Sequence, residues 1–151
     1  MLRHALATLA YRAGKVLRDA PDGFTDFRLS EGGRSAGEIL AHLGDLMDWA
    51  SSIAEGQQTW KDSPALPWDA GVTRFFESLA RFDACLAGPL AAQAPADRLF
   101  QGPVADALTH VGQLAMMRRL SGAPIRGENY FKAEITAGRV GIDQAAPKRE
   151  F

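Results

Sequence analysis

Apolar residues recur at helical spacing in four segments of the chain, and glycine, proline and polar residues separate these segments. A spacing of three or four residues places side chains on one face of an α-helix. No segment alternates apolar and polar residues in the way a half-buried strand does. The pattern therefore predicts an all-α fold whose four helices pack as a bundle, with helices from Leu2 to about Arg18, from Ser35 onward, from Asp69 onward, and from Gly102 to Gly122.

The ends of two of these helices carry recognisable signals. Ser35 and Glu38 have the spacing of a capping box, in which each side chain bonds the other residue's backbone N–H at the start of helix two. Pro103 suits the first turn of helix four, and Gly122 followed by Pro124 is a typical stop. These signals predict that helix four is one uninterrupted helix between its proline and its glycine.

The segments between and after the helices predict the connections. Residues 55–68 contain Gly56, Pro64 and Pro67, and they form a longer linker than a tight helix hairpin needs. We therefore expect this second connection to cross the bundle. After Gly122, the stretch that contains Tyr130 is predicted to form a short helix or lid. The tail from about residue 140 is predicted to be irregular and its last four residues frayed.

Composition narrows the class of protein. A chain of 151 residues with 46% hydrophobic residues is predicted to form one domain over residues 1–151. Seventeen basic and eighteen acidic residues, with no basic block, argue against nucleic-acid binding, and no apolar run has the length of a membrane span. The single Cys85 excludes an internal disulfide and favours a cytoplasmic location.

Three polar residues on predicted inner faces suggest a metal site. Asp106 and His110 are four residues apart on helix four, so their side chains share a face, and His42 lies on the flank of the apolar stripe of helix two. Two neutral imidazoles and one carboxylate suit zinc, nickel or ferrous iron, with a coordination position left for water or substrate. A buried hydrogen-bonded pair without metal is the alternative, and spacing alone favours that alternative.

Two short motifs carry a resemblance to a known family. The run His110-Val-Gly-Gln-Leu114 resembles the His-Arg-Gly-Gln-Leu signature that lies late in members of the DinB-like superfamily. The run Glu38-Ile-Leu-Ala-His-Leu43 is similar to the phrase that holds the histidine of helix two in that superfamily. Helix order, spacing, length and the Leu-Ser-Gly-Ala-Pro exit after helix four extend the resemblance over most of the chain.

The resemblance implies a compact four-helix bundle of DinB-like type with a divalent metal bound by His42, Asp106 and His110. Asp106 stands where the family usually has a third histidine, and Val111 replaces the usual arginine. The carboxylate either ligates the metal in place of the imidazole, or the metal site is lost. The metal expected from the resemblance is zinc, nickel or iron.

The resemblance also implies a function class. Relatives include bacillithiol transferases and thiol-dependent isomerases, so the expected protein is a metal-dependent transferase or hydrolase. It would activate water or the thiol of a low-molecular-weight cofactor and act on a small-molecule substrate. The alternative is a metal-free, stress-associated module that binds a small molecule or a protein. A homodimer is the expected assembly if the protein is not a monomer.

Three further residues are predicted to have secondary roles. Asp45 lies one turn after His42 and is either a surface acid pointing toward solvent or the partner that orients the imidazole. Gln113 would orient a substrate, and Tyr130 would close the pocket. Packing or surface roles are the alternatives for Gln113 and Tyr130, and Cys85 is expected to be a small buried residue and not a nucleophile.

Overall fold

The computed structural model describes residues 1–89 and 94–151. The described residues form four long helices and one short helix, together with single 3₁₀ turns at Phe24–Asp26 and Tyr130–Lys132. They contain no β-strand, only one isolated bridge between Glu128 and Glu150. The all-helical prediction is therefore confirmed, with the helices α1 Leu2–Leu17, α2 Ala36–Ala54, α3 Trp68–Ala87, α4 Ala96–Leu99 and α5 Ala105–Leu120.

The capping box at the start of α2 is present as predicted. The backbone N–H of Glu38 donates to Oγ of Ser35 at 3.1 Å, and the N–H of Ser35 donates to Oε2 of Glu38 at 2.7 Å. Arg28 donates to the same carboxylate oxygen at 2.8 Å. These bonds fix the first turn of the helix that carries His42.

The predicted start of helix four at Gly102 is wrong. Helical backbone begins earlier, in α4, and a π-helical turn at Phe100–Val104 joins α4 directly to α5. Pro103 lies inside this turn, where its ring and missing N–H would disrupt an ordinary α-helical ladder. The predicted end is right, because Gly122 has a left-handed φ of 83° just beyond α5. Asp106 therefore lies within a longer helical segment and not in its first turn.

The helices α2 and α3 run in the same direction. Arg74, early in α3, donates to the carbonyl of Ala41, early in α2, at 3.0 Å. Further along both helices, Arg81 donates to Asp48 at 2.7 Å. Because a parallel pair cannot be joined by a tight hairpin, the connection at residues 55–67 must return along the bundle. This is the crossing that the length of the linker predicts.

The helices α1 and α5 run in the opposite direction to α2 and α3. Arg3 at the start of α1 pairs with Asp83 near the end of α3 at 2.8 Å, and the carbonyl of Leu17 accepts from Nε1 of Trp68 at 3.0 Å. Helix α5 packs on both α1 and α2.

None of the described helices is long and apolar enough to span a bilayer. Side chains that are fully buried from all four long helices fill the centre, including Leu6, Leu9, Leu43, Met47, Phe75, Phe82 and Leu114.

The C-terminal tail is anchored on α1, and the prediction of frayed last residues is wrong. The N–H of Phe151 donates to the carbonyl of Gly127 at 3.1 Å, which pairs the end of the chain with an earlier part of the tail. Glu128 is buried and accepts from the hydroxyl of Tyr11 at 2.7 Å and from Lys15 at 3.0 Å. The predicted C-terminal helix or lid is reduced to the single 3₁₀ turn.

Candidate metal centre

The three predicted ligands converge where α2 faces α5. Nε2 of His42 lies 3.6 Å from Oδ2 of Asp106, and Nε2 of His110 lies 3.5 Å from Oδ1 of the same carboxylate. One donor atom from each residue falls within 4.8 Å of the others. Because α2 and α5 are antiparallel, side chains that are distant in sequence meet at one level of the bundle.

Two of the three separations between these donor atoms are close to those found around a small divalent cation. A ligand bond of 2.0–2.1 Å in tetrahedral geometry separates two donors by roughly 3.4 Å. The two carboxylate-to-imidazole distances, 3.5 and 3.6 Å, are close to that separation. They exceed the 2.7–3.2 Å that is usual for N–H···O hydrogen bonds. These two separations are therefore longer than ordinary hydrogen bonds and compatible with donors that share one ion.

Gln113 orients one of the two imidazoles. Its Oε1 lies 2.8 Å from Nδ1 of His110, one turn away on the same helix. Because an amide oxygen only accepts, this contact places a proton on Nδ1 and leaves Nε2 as the ring nitrogen that faces Asp106. Gln113 thus contacts His110 of the cluster, whereas sequence reasoning expected it to orient a substrate.

The surroundings of the second imidazole, that of His42, favour its neutral form. Burial lowers the pKa of His42, and the neighbouring charges of His110 and Arg34 lower it further, whereas Asp106 opposes the shift. The edge of the Trp60 ring packs on the His42 ring, with the ring centroids 5.6 Å apart. A neutral imidazole in a partly dry setting is the form that ligates a metal.

The expectation that Asp45 points toward solvent is wrong, and so is the idea that it orients His42. Asp45 is 4% exposed. Its Oδ1 accepts from Nη2 of Arg74 at 2.6 Å, and its Oδ2 accepts from the backbone N–H of Ser63 at 2.9 Å. Both oxygens therefore serve contacts to α3 and the crossing linker, and neither bonds to His42.

Tyr130 does not close the site. The edge of its ring packs on Tyr11, with the centroids 6.2 Å apart, and the guanidinium of Arg12 lies 4.4 Å above its ring. Both partners belong to α1, and Tyr130 does not line the cavities that touch His42 and His110. The lid role proposed from its place in the tail is therefore a wrong prediction.

Three cavities open at the cluster, one beside each candidate ligand. His42 lines a cavity of about 330 Å³ that also contains Asp45 and Asp62. His110 lines a second one of about 400 Å³, and Asp106 a third of about 440 Å³ beside Trp49. The cluster is therefore accessible to small molecules from more than one side.

Sequence reasoning missed the residues that form the wall of the site. Trp60 belongs to the linker and reaches His42 only because that linker returns along α2, where Trp60 also packs edge-on against Trp49 with centroids 5.7 Å apart. Arg34 lines the cavities beside His42 and His110. A tryptophan within the polar first part of the linker, residues 55–63, was the one available signal. Nothing in the local pattern distinguishes Arg34 from other loop arginines.

Comparison of the chain with family models, curated proteins and solved structures finds no match. The resemblance to the DinB-like superfamily therefore rests on the motifs around His42 and His110. The geometry of those two residues with Asp106 is a separate observation, made on the folded chain.

Proposed function

We propose that this protein is a divalent-metal-dependent enzyme of DinB-like type, in which His42, Asp106 and His110 hold the metal. The reaction class that this site supports best is transfer or hydrolysis by an activated thiol or water. The observation that carries the proposal is the convergence of two imidazole nitrogens and one carboxylate within 4.8 Å, with the carboxylate 3.5 and 3.6 Å from the two nitrogens.

The residues of the chain have separable tasks in this proposal. A bound divalent metal would lower the pKa of a thiol or water and supply a nucleophile near neutral pH. His42 and His110 would offer neutral nitrogens, and Asp106 would offset part of the positive charge. Gln113 keeps the His110 nitrogen pointed at the site through the 2.8 Å contact.

The wall at Trp60 would control water on one side of the site. Trp60 packs on His42 and on Trp49, and Asp45 anchors its linker through the N–H of Ser63. A partly apolar wall beside an ion strengthens electrostatic interactions within the site and limits competing hydrolysis. The side chain of Asp106, by contrast, is 47% exposed, which leaves an approach for substrate.

Assignment to the DinB-like type is part of the same proposal. Its support is the combination of a four-helix bundle with a crossed second connection, a histidine in the second helix, and a ligand pair four residues apart in the last long helix. Of the family's usual three-histidine set, Asp106 is the one departure. A carboxylate in that position is a ligand for zinc, nickel or iron, although it is a harder one than imidazole.

Metal content is the direct test. We expect untagged protein to hold about one equivalent of zinc, nickel or iron by elemental analysis, or to take it up when it is supplied and then dialysed. His110→Ala should lose this metal. His4→Ala is the matched control, because His4 is exposed on α1 and should leave the metal content unchanged.

Wild-type protein that retains no metal under these conditions would overturn the proposal and leave the metal-free binding module as the remaining function. Loss of metal in His4→Ala to the same extent as in His110→Ala would also count against it. Metal-loaded protein should then be screened with low-molecular-weight thiols, where turnover that depends on His110 identifies the reaction class.

A further inference from the structure

The cavity beside His110 differs in chemistry from the other two cavities at the cluster. Arg34 is the charged residue of its lining, and no carboxylate lines it. The cavity beside His42 contains three acids, Glu38, Asp45 and Asp62, against two arginines, and the third cavity contains only Asp106 as a charge. The remaining lining of the His110 cavity is mostly apolar, with Leu29, Ile39 and Met117 beside the amide of Gln113.

Arg34 is exposed, and its positive charge has no partner within residues 1–89 and 94–151. The other arginine of this loop, Arg28, is paired with Glu38 at 2.8 Å and also donates to the carbonyl of Gly33 at 2.7 Å. Among the described residues, no carboxylate lies within salt-bridge distance of Arg34 and no hydrogen bond is made by its side chain. Its place in the lining puts the guanidinium in the same cavity as His110.

We propose that this cavity is the substrate pocket and that it takes a small organic monoanion with a short apolar chain. Arg34 would pair with the anionic group, and the apolar chain would lie against Leu29, Ile39 and Met117. This assignment names the substrate class and rests on the proposed function of the cluster.

The charge around the cavity beside His110 and the volume of this cavity are both compatible with a small organic monoanion. A divalent ion held by two neutral imidazoles and one carboxylate leaves a net charge of about +1, and Arg34 adds another. An anion is therefore favoured here, whereas the acids beside His42 would repel one. A cavity of about 400 Å³ is within the range that holds small-molecule ligands and is large enough for a short-chain acid.

The test compares a carboxylate with a neutral molecule of the same length. Hexanoate and hexan-1-ol are titrated by calorimetry into protein kept metal-free with a chelator, so that binding to a metal does not contribute. We expect hexanoate to bind at least about tenfold more tightly than hexan-1-ol, because a charge-assisted bond to guanidinium stabilises only the anion. Arg34→Gln should abolish this preference and leave the affinity for hexan-1-ol unchanged.

Arg119→Gln is the matched control. Arg119 is exposed on α5 and lies roughly 180° around the helix from His110, given about 100° per residue. It should therefore bind hexanoate as the wild type does. Arg34→Lys should recover part of the preference, because it restores the charge without the planar pair of donors.

Two neighbouring methionines locate the ligand. Met117 is 1% exposed and lines the cavity, whereas Met116 is 49% exposed and lies outside its lining. With ¹³C-methyl methionine, hexanoate should shift the Met117 signal and leave the Met116 signal in place. Equal binding of acid and alcohol, no measurable binding of hexanoate, an unaffected Arg34→Gln variant, or an unmoved Met117 signal would each overturn the pocket assignment.

The test of the pocket and the test of metal binding can succeed or fail independently of each other. Discrimination between hexanoate and hexan-1-ol in metal-free protein tests only Arg34 and its cavity. If the protein holds no metal but Arg34 still selects the anion, the metal function fails and the pocket stands. If metal binds but Arg34→Gln changes nothing, the pocket fails and the metal function stands.

Discussion

The carboxylate of Asp45 accepts a hydrogen bond from the backbone N–H of Ser63 at 2.9 Å, which joins α2 to the linker that returns along it. The other oxygen of the carboxylate accepts from Arg74 of α3 at 2.6 Å. The same linker carries Trp60, whose ring packs on His42. Two residues 18 positions apart in the sequence thus connect the packing of the bundle to the wall of the candidate site.

Asp45→Asn should loosen this wall. The change removes the charge that faces Arg74 and leaves one oxygen for two donors, so we expect a loss of about 1–3 kcal/mol in the free energy of unfolding. The emission of Trp60 should also move to longer wavelength as the ring becomes more exposed to water. Urea denaturation and tryptophan fluorescence measure the two effects. Asp69→Asn, at an exposed position of α3, is the control, and equal stability of the two variants would contradict the role of Asp45.

Asp106→Ala should weaken metal binding more than the roughly 10- to 100-fold that loss of an outer-shell partner costs. Asp106→His should retain the metal, because an imidazole replaces the carboxylate as a ligand. Competition titrations with a zinc indicator provide the affinities. Asp97→Ala is the control, since Asp97 is an exposed acid in α4 of the same helical segment.

If Asp106 only stabilised the start of a helix, Asp106→Ala would cost about 0.3–1 kcal/mol of stability and would leave zinc affinity unchanged. That explanation is weakened by α4 and the π-helical turn, which precede Asp106. Equal zinc affinities for Asp106→Ala and the wild type would nevertheless exclude Asp106 as a ligand.

Gln113→Ala should lower metal affinity by roughly 10- to 100-fold, because His110 loses the acceptor that fixes its Nδ1 proton. Gln113→Glu retains an acceptor and should keep most of the affinity. Gln113 is exposed, so the thermal midpoint of the metal-free protein should change little in either variant. Affinity that is the same in all three proteins would show that the contact does not orient the ligand.

Arg118→Met should destabilise the junction between α1 and the end of α5. The buried guanidinium donates to four backbone carbonyls at 2.8–3.0 Å, those of Val16, Arg18, Asp19 and Ala123. Methionine fills a similar volume but leaves buried carbonyls without a donor, at about 1–3 kcal/mol. Urea denaturation should show this loss, and Arg118→Lys should recover only part of it because an ammonium cannot reproduce the fork.

The neighbouring Arg119 supplies the comparison for that experiment. It is exposed, so Arg119→Met should remain within about 0.5 kcal/mol of the wild type. A similar loss in both variants would show that general charge, and not the carbonyl contacts of Arg118, determines the effect.

The stability of the metal-free protein should fall on mild acidification because of His42. In the folded protein the pKa of His42 lies below its ordinary value of 6.5, chiefly through burial, so below pH 6.5 the unfolded chain binds the proton more readily. Above pH 6.5 the neutral imidazole makes its full contribution to the free energy of unfolding. This contribution is lost as the pH falls through the lowered pKa of His42 in the folded protein. Urea midpoints between pH 7.5 and 5 should therefore fall further in the wild type than in His42→Gln, with His4→Gln behaving as the wild type.

Local chemistry was enough to predict most of the helices. The apolar spacing in α1, α2 and α3, the capping box of Ser35 and Glu38, and the stop at Gly122 all act over a few neighbouring residues, and all are present. The start of the last helix was mispredicted because Pro103 is compatible either with a first turn or with a π-helical turn. Only the packing of the preceding residues decides between the two.

The sequence by itself determined the pair formed by Asp106 and His110, because a spacing of four on a helix brings two side chains to the same face. It also suggested His42 as the third member through its motif. The tertiary structure alone decided that the antiparallel packing of α2 against α5 brings His42 to that pair, that Asp45 points inward to Arg74 and Ser63, and that Trp60 and Arg34 border the site. These contacts join residues that are far apart in the chain, and their geometry depends on the direction and rotation of whole helices, which no local pattern encodes.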